Sequence, residues 1–387
     1  MMNGGQPLRI VFFTGGTALR GLSRALAERS PDAVHLVTMF DAGGSTAALR
    51  KAFAMPAVGD IRNRMLAIAD PQAVPQSVFD FMQHRLPLAE SAATANVADL
   101  RAEIEALARG EHALWTDMPA PFANPLRELF NECVCRLPQN FDPFGASLGN
   151  MVICGGYLRH KRNFSPVLTF LGQLLHVRGH VVPIVEESLH LACELENGQM
   201  IVGQQHFKAL PCAVRRLFLT VHEPDRARAI AMDATPCRPK LSDAARHYIA
   251  TADIICYPMG SFYSSVLSNL LPRGVAGAIA ANPCPKVFIP NSGADPEVHG
   301  LSVAGQVELL LATLKEGAPG AKDCDVLNGV LVDGEHGRYL HLDELKATLQ
   351  GRGIALRDCP MVSADNPACH DPQATLQALL TSCSFCR

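Results

Sequence analysis

The residues most able to do chemistry lie in the stretch 39–70, MFDAGGSTAALRKAFAMPAVGDIRNRMLAIAD. Asp41, Gly43, Gly44 and Ser45 form a glycine-rich loop directly after an apolar run. Such a loop turns sharply, exposes backbone N–H groups and carries one carboxylate, which suits a phosphate or a metal–phosphate pair. A basic helix with Arg50 and Lys51 follows, and Gly59-Asp60-Ile61-Arg62-Asn63 opens a second helix. Asp41 can ligate Mg2+ or accept a proton. The same residue can close an Asx turn or cap the helix after it. Arg62 can clamp phosphate oxygens in pairs or stand as an ordinary solvated side chain, and Asp60 is where a helix start favours an acid.

Three further polar loops carry glycine: Gly15-Gly16-Thr17, Met259-Gly260-Ser261 and Asn291-Ser292-Gly293. Each follows an apolar run. In open parallel sheets ligands bind beyond the carboxyl ends of the strands, so the four loops are expected to share one edge of a sheet. Glycine after a strand is also simply a turn. Gly16-x4-Gly21-Leu22-Ser23 has the glycine spacing of a P-loop, but leucine stands where the lysine belongs, and G-x-G-x-x-G is absent. Ordinary NTP hydrolysis and ordinary NAD binding are therefore disfavoured. Ser261, Tyr263 and Ser264 offer hydroxyls beside a helix N-terminus, where capping accounts for the serines equally well. Asn150, inside an apolar helix, is either a ligand contact or a structural amide. Cys369-His370 with Cys383 and Cys386 has the residue types of a small zinc site, on weak spacing; Cys133-Val-Cys135 reads as structural.

The elements that must position these residues read as follows. Residues 8–14 (LRIVFFT) form a strand buried on both faces, 18–30 an amphipathic helix and 34–40 a second strand. A βαβ opening predicts parallel pairing with a right-handed crossover. Helices follow at 46–53 and from Asp60. From 71 to about 140 the pattern predicts a mostly helical insertion. Residues 147–158 and 165–177 read as buried helices and 180–185 as a strand. Asn197-Gly198 between apolar runs is a hairpin signal, and 215–221 is another strand. The βα rhythm then returns, with strands at 253–257, 286–290, 326–332 and 354–357, and helices at 242–250, 264–271, 275–280 and 303–314. The whole, 1–387, is expected to form a single α/β domain, with 324–387 as a C-terminal extension.

The 387 residues are 48% hydrophobic with a net charge of −3, which gives a sizeable core and no nucleic-acid-binding surface. The 13 cysteines are an odd number, in a chain too long to need disulfide staples, and read as reduced thiols. Neither a signal-peptide pattern at the N-terminus nor an apolar run of membrane-spanning length is visible. A cytoplasmic protein without membrane association is expected.

Taken in order, Gly15-Gly16-Thr17, DAGGSTAALR, VGDIRNRMLAIAD, GASLGNM, HVVPIV with its hairpin and ADIICYPMGSFYSSVLSNLL resemble the CofD-like family. That family spans 2-phospho-L-lactate transferase and the YvcK-type proteins that bind UDP-sugars. The details are closest to the group known as GAK system CofD-like. The resemblance implies a Rossmann-like parallel sheet in a three-layer αβα sandwich, usually as a homodimer, with a site for a nucleotide diphosphate or nucleotide sugar. It implies that Gly15, Gly16 and Thr17 line the phosphates, that Asp41 is the catalytic and metal-holding carboxylate, and that Gly260, Ser261 and Asn291 face the nucleotide. In the transferase a phosphate-linked group passes from a nucleotide donor to an acceptor hydroxyl with Mg2+. The alternative is a non-catalytic nucleotide-sugar-binding regulator. Three departures bear on this choice. Ala42 stands where the family has a second aspartate, Tyr257-Pro258-Met259-Gly260-Ser261 replaces Gly-Pro-Gly-Ser, and Ala146 replaces a histidine.

Overall fold

The structure is a computed structural model that describes residues 2–3, 6–16, 18–41, 43–89, 96–224, 234–298 and 300–382. Two compact units emerge: Met1–Phe40, Arg178–Val185 and Leu189–Arg387 in the first, and Asp41–Val177 with Glu186–Ser188 in the second.

The first unit is built on strands β1 (Ile10–Thr14), β2 (Val34–Val37), β3 (His180–Pro183), β4 (His190–Leu195), β5 (Met200–Val202), β6 (Val214–Thr220), β7 (Ile254–Tyr257), β8 (Lys286–Phe288), β9 (Gly329–Val332) and β10 (Ala355–Asp358). Seven of them form one sheet in the order β10-β9-β8-β7-β1-β2-β3, and every pairing in it is parallel. β1, β2 and β7 are buried along their whole length, which is why their sequences are unbroken apolar runs rather than alternating ones. On one face Ile10, Phe12, Ile254 and Cys256 pack against Leu22 and Leu26 of the helix Arg20–Arg29 and against Leu376 and Leu379 of the helix Pro372–Thr381. On the other, Phe13 stacks on Tyr257 with ring centroids 5.6 Å apart, and the Tyr257 hydroxyl donates to the Val326 carbonyl at 2.8 Å. This is the expected α/β architecture.

The unit also carries a short antiparallel pair, Met2–Asn3 with Gln6–Pro7, and a small antiparallel sheet, β5-β4-β6. Its hairpin turns at Asn197-Gly198: the Leu195 N–H donates to the Gln199 carbonyl, and the Gln199 N–H to Asn197 Oδ1 at 3.0 Å. Some boundaries differ from expectation. The strand expected over 326–332 begins only at Gly329, because residues 323–326 make a short helical turn, closed by the Lys322 N–H on Asp325 Oδ2 at 2.8 Å. The helix expected over 264–271 is an irregular pair of turns, a wide one at Phe262–Val266 and a tight one at Leu267–Leu270.

The second unit carries the helices Gly44–Phe53, Gly59–Ala67, Gln76–Gln83, Val97–Arg109, Ala120–Val134, Leu148–Arg159 and Phe164–Leu174. Its centre is Leu148–Arg159, in which every residue from Leu148 to Tyr157 is buried. Glycines make that burial possible. A Cβ on Gly155 would overlap the Leu129 carbonyl oxygen and lie 2.9 Å from the Cys133 nitrogen, so the helices Ala120–Val134 and Leu148–Arg159 cross at backbone contact. Phe81 packs on Trp115 with centroids 4.3 Å apart and meets Phe130 edge-on at 6.0 Å.

Candidate functional site

Within the first unit, the sheet runs outward from the β1/β7 pair in opposite directions: β2 and β3 on one side, β8 to β10 on the other. That pair is the topological switch point, where an open parallel sheet leaves a crevice beyond its carboxyl edge. A pocket of about 180 Å³ lies there, walled by Thr14 at the end of β1 with Gly15 and Gly16 after it, and by Met259, Gly260, Ser261 and Ser265 after β7. Sequence reasoning named the glycines and Ser261. It passed over Ser265, whose only mark is its place in the run Ser264-Ser265.

The two glycines of the β1 loop do different work. A Cβ on Gly15 would come within 2.8 Å of Ser265 Cβ, so Gly15 is needed for the two walls to meet. A Cβ on Gly16 would meet none of the described atoms outside its chain neighbours within 4 Å. Thr17 lies outside the described residues, as do Ala42, Cys383 and Cys386. On the β7 side, Gly260 has φ +145°, a conformation that favours glycine. Its N–H donates to Asn291 Oδ1 at 2.9 Å, and Asn291 Nδ2 donates back to its carbonyl at 2.7 Å. Asn291, placed by the sequence against the nucleotide, thus spends both ends of its amide on the Gly260 backbone. Ser264 is similarly engaged: its N–H and hydroxyl donate to Glu297 at 2.9 and 2.6 Å. Tyr263 is buried and lies edge-on to Phe207 with centroids 6.4 Å apart; burial pushes its phenol up to about 12.

Within the second unit the structure gathers the remaining residues the sequence singled out. Asp41 Oδ1 accepts the Gly43 N–H at 2.9 Å, the Asx-turn contact, and Gly44 opens the next helix with φ +53°. The Asp41 carbonyl accepts Arg50 Nη1 at 3.0 Å. Asn150 Nδ2 donates to Ser45 Oγ at 2.8 Å and contacts Thr46 Oγ1 at 3.4 Å, while its own Oδ1 is buried and accepts no hydrogen bond within the described protein. Arg62 donates through Nη1 to Ser147 Oγ and through Nη2 to Asn63 Oδ1 at 2.7 Å. Ser147 also caps the helix that carries Asn150.

Arg62 is 4% exposed. Burial, then the like charge of Arg85, lowers its guanidinium to about 10, and Asp60 and Asp41 hold it up against both. The group stays charged at neutral pH, buried beside a second cation, which is the electrostatic setting an incoming anion relieves. Arg85, Thr46 and Ser147 were not singled out from sequence, and Arg50 was named there only as part of a basic helix. Ser147 had a signal as the cap before an apolar helix; Arg85 had none.

Asp41 is a carboxylate of the kind that ligates Mg2+. A Cβ on Gly59 would lie 2.9 Å from Thr46 Oγ1 and 3.4 Å from Asp41 Oδ2, so the close approach that glycine permits there is to Thr46. Among the described residues no group of three or more His, Cys, Asp or Glu side chains is placed to hold a metal. Mg2+ characteristically takes one or two carboxylates and completes its shell with water and phosphate oxygens, so Asp41 would be its protein ligand here. No helix among the described residues is long and apolar enough to cross a membrane.

Known proteins that resemble this chain include a family, two relatives and two solved structures. A family model described as 2-phospho-L-lactate transferase CofD matches residues 10–353. The gluconeogenesis factor of Bacillus subtilis is 27% identical over 292 residues, covering 76% of this chain and 70% of that protein. A putative gluconeogenesis factor of Thermotoga maritima is 24% identical over 312 residues, 80% of this chain and 76% of its own length. Among solved structures, a protein from Bacillus halodurans superposes with a TM-score of 0.69 at 23% identity, over 97% of this chain and 100% of that one. A second structure from that organism, described as a member of the UPF0052 family, gives 0.67 at 22% identity over 96% and 99%. At these identities the structures establish the fold.

Proposed function

The chain belongs to the CofD family, and from that premise we propose that it binds a nucleotide diphosphate, carried as a nucleotide sugar, and acts through binding rather than turnover. One observation carries this reading. The pocket at the β1/β7 switch point is lined by backbone, small hydroxyls and apolar side chains, and no titratable side chain is among its described lining residues. Such a wall can cradle a diphosphate with N–H and hydroxyl donors. It supplies no general acid or base.

Binding in this reading runs through geometry. Gly16 leaves the floor open for phosphate oxygens, Gly15 lets Ser265 close the wall, and Ser261 and Ser265 present hydroxyls. The second reading is the transferase, and it rests on Asp41. Mg2+ held there would neutralise phosphate charge, the principal contribution a protein makes to phosphoryl transfer.

The test uses the open space at Gly16. Gly16→Val should fold, because no described atom outside its chain neighbours stands within 4 Å of the new Cβ, and its methyls should occupy the pocket that Gly16 lines. For the wild type, a UDP- or GDP-linked sugar at 100 times its Kd adds about 2.7 kcal/mol of stability, a rise of several degrees. The variant should lose that rise. Unchanged melting of the wild type with UDP-, GDP- and ADP-sugars overturns nucleotide binding. A full shift retained by Gly16→Val overturns the site.

A further inference from the structure

The turn after β7 is held from behind by the loop after β8. The Phe262 N–H donates to Asp295 Oδ2 at 2.8 Å. Glu297 takes both the Ser264 N–H and the Ser264 hydroxyl. Asp295 in turn fixes the loop itself, accepting the Glu297 N–H at 3.0 Å through Oδ1, with Asn291 Nδ2 at 3.4 Å from Oδ2. Asn291 closes the lattice on Gly260. Glu297 is 4% exposed. Burying a carboxylate in such a place costs desolvation, which these hydrogen bonds offset in part.

From this geometry we infer that Asp295 and Glu297 are positioning residues: their carboxylates hold the turn that bears Gly260, Ser261 and Ser265, and so set the width of the pocket proposed above for a nucleotide diphosphate. The inference rests on that reading for its ligand but not for its structure. It has a chemical corollary. The backbone N–H groups of Phe262 and Ser264 open the helical turn and are its natural anion donors, yet internal carboxylates already occupy them. The diphosphate is therefore left to the donors of the β1 loop and to the Ser261 and Ser265 hydroxyls, and an anion cannot bind at the Phe262 end without displacing the clamp.

The charged and titratable groups facing Glu297 are Asp295, Lys208 and Tyr263. Burial, and then the neighbouring Asp295, raises the Glu297 carboxyl, while the two Ser264 bonds and Lys208 lower it. Ionised Glu297 thus costs stability at neutral pH, and an amide of the same shape does not. Gln can still accept the Ser264 N–H through Oε1 and donate to the Ser264 hydroxyl through Nε2.

The experiment compares Glu297→Gln, Glu297→Ala and Asp295→Ala in the full chain, with amide hydrogen exchange on ligand-free protein and calorimetry with a UDP-sugar. Glu297→Gln should melt at or above the wild-type temperature, protect the amides of Phe262 and Ser264 as the wild type does and bind within threefold of it. Glu297→Ala should lose protection at Ser264 and bind at least tenfold more weakly while the strands β1 and β7 stay protected. Asp295→Ala should do the same at Phe262. Alanine variants that keep both the protection and the affinity overturn the inference, as does a glutamine variant no better than alanine. Should the wild type bind no nucleotide while the amides respond as stated, the clamp stands and the nucleotide reading fails.

Discussion

At the scale of single residues, position alone separates glycines that look identical in sequence. Gly15 and Gly16 are adjacent, but Gly15 is required by Ser265 and Gly16 faces open space. The glycine loops were legible because each ends a buried apolar strand. Asp295 and Glu297 were not, because acids in a polar loop resemble solvated ones until the fold buries them. Arg85 was invisible for the same reason: nothing local marks a cation that another element will place beside Arg62. Asp41 closes the Asx turn through Oδ1, which accounts for its reading as a turn residue and leaves its reading as a metal ligand to experiment. Substitution separates them. Asp41→Asn preserves the Gly43 contact, so as a turn residue it should change neither melting temperature nor ligand affinity. As a metal ligand it should lose Mg2+-dependent nucleotide affinity or turnover by tenfold or more, and Ala42→Asp, which restores a second carboxylate, should tighten Mg2+. Calorimetry with nucleotide, with and without Mg2+, decides; an asparagine variant that behaves as wild type in Mg2+ leaves Asp41 as a turn residue only.

At the scale of elements, the strands of the large sheet were the most readable part of the chain. A strand covered on both faces has no polar alternation to confuse the reading, and β1, β2 and β7 fall inside the expected runs. Errors came where apolar character outlasts the strand. Val326 and Leu327 extend the run into β9, yet Asp325 ties the chain into a turn there. The helices Leu342–Leu349 and Pro372–Thr381 were missed although the second one buries Leu376 and Leu379 against the sheet; their amphipathic stripes are short, and tertiary packing supplies what the local pattern does not. Glycine in an apolar helix had no such ambiguity once packed. Gly155→Ala places a methyl on the Leu129 carbonyl, a backbone atom that cannot rotate away. Overpacking of this kind costs about 3 kcal/mol, against a gain below about 1 kcal/mol from helix propensity. The variant should therefore unfold at lower urea, whereas Gly172→Ala, with nothing within 4 Å of its Cβ in the helix Phe164–Leu174, should be neutral or stabilising. Equal midpoints for the two would refute the backbone-contact account of the crossing.

At the scale of the molecule, composition pointed to the class and little else: a net charge of −3 gives no sign of a nucleic-acid partner and does not reveal where charge is buried. The sequence change read at residue 71 falls inside a unit that begins at Asp41, because the helices from Gly44 onward share one core with those after Pro71. Two groups near the C-terminal end, the buried Asp333 and the half-buried His370, contribute to the acid response of the chain. For Asp333, burial alone would raise the carboxyl, but N–H donors from Val362, Met361 and His336 and the His336 ring together bring it to about 2. His370 is pushed down to about 4 by burial, with Asp333 opposing, and its Nε2 accepts no hydrogen bond in the described protein. A histidine whose folded value lies below the ordinary 6.5 stays neutral while the unfolded chain takes up a proton, so its stability contribution is lost as pH falls from 6.5 towards 4. The carboxylate, depressed from 3.8, holds its contribution above 3.8 and loses it towards 2. The losses are therefore ordered, histidine first. By linkage the His370 step amounts to about 2 kcal/mol between pH 7.5 and 4.5. His370→Phe removes the titration and keeps an aromatic ring in the site. Urea midpoints at those two pH values should show the variant losing less stability than the wild type by about that amount, with no difference in the step below pH 3.8. Parallel losses in the two proteins would mean that His370 is solvated enough to titrate normally and that the acid response arises elsewhere.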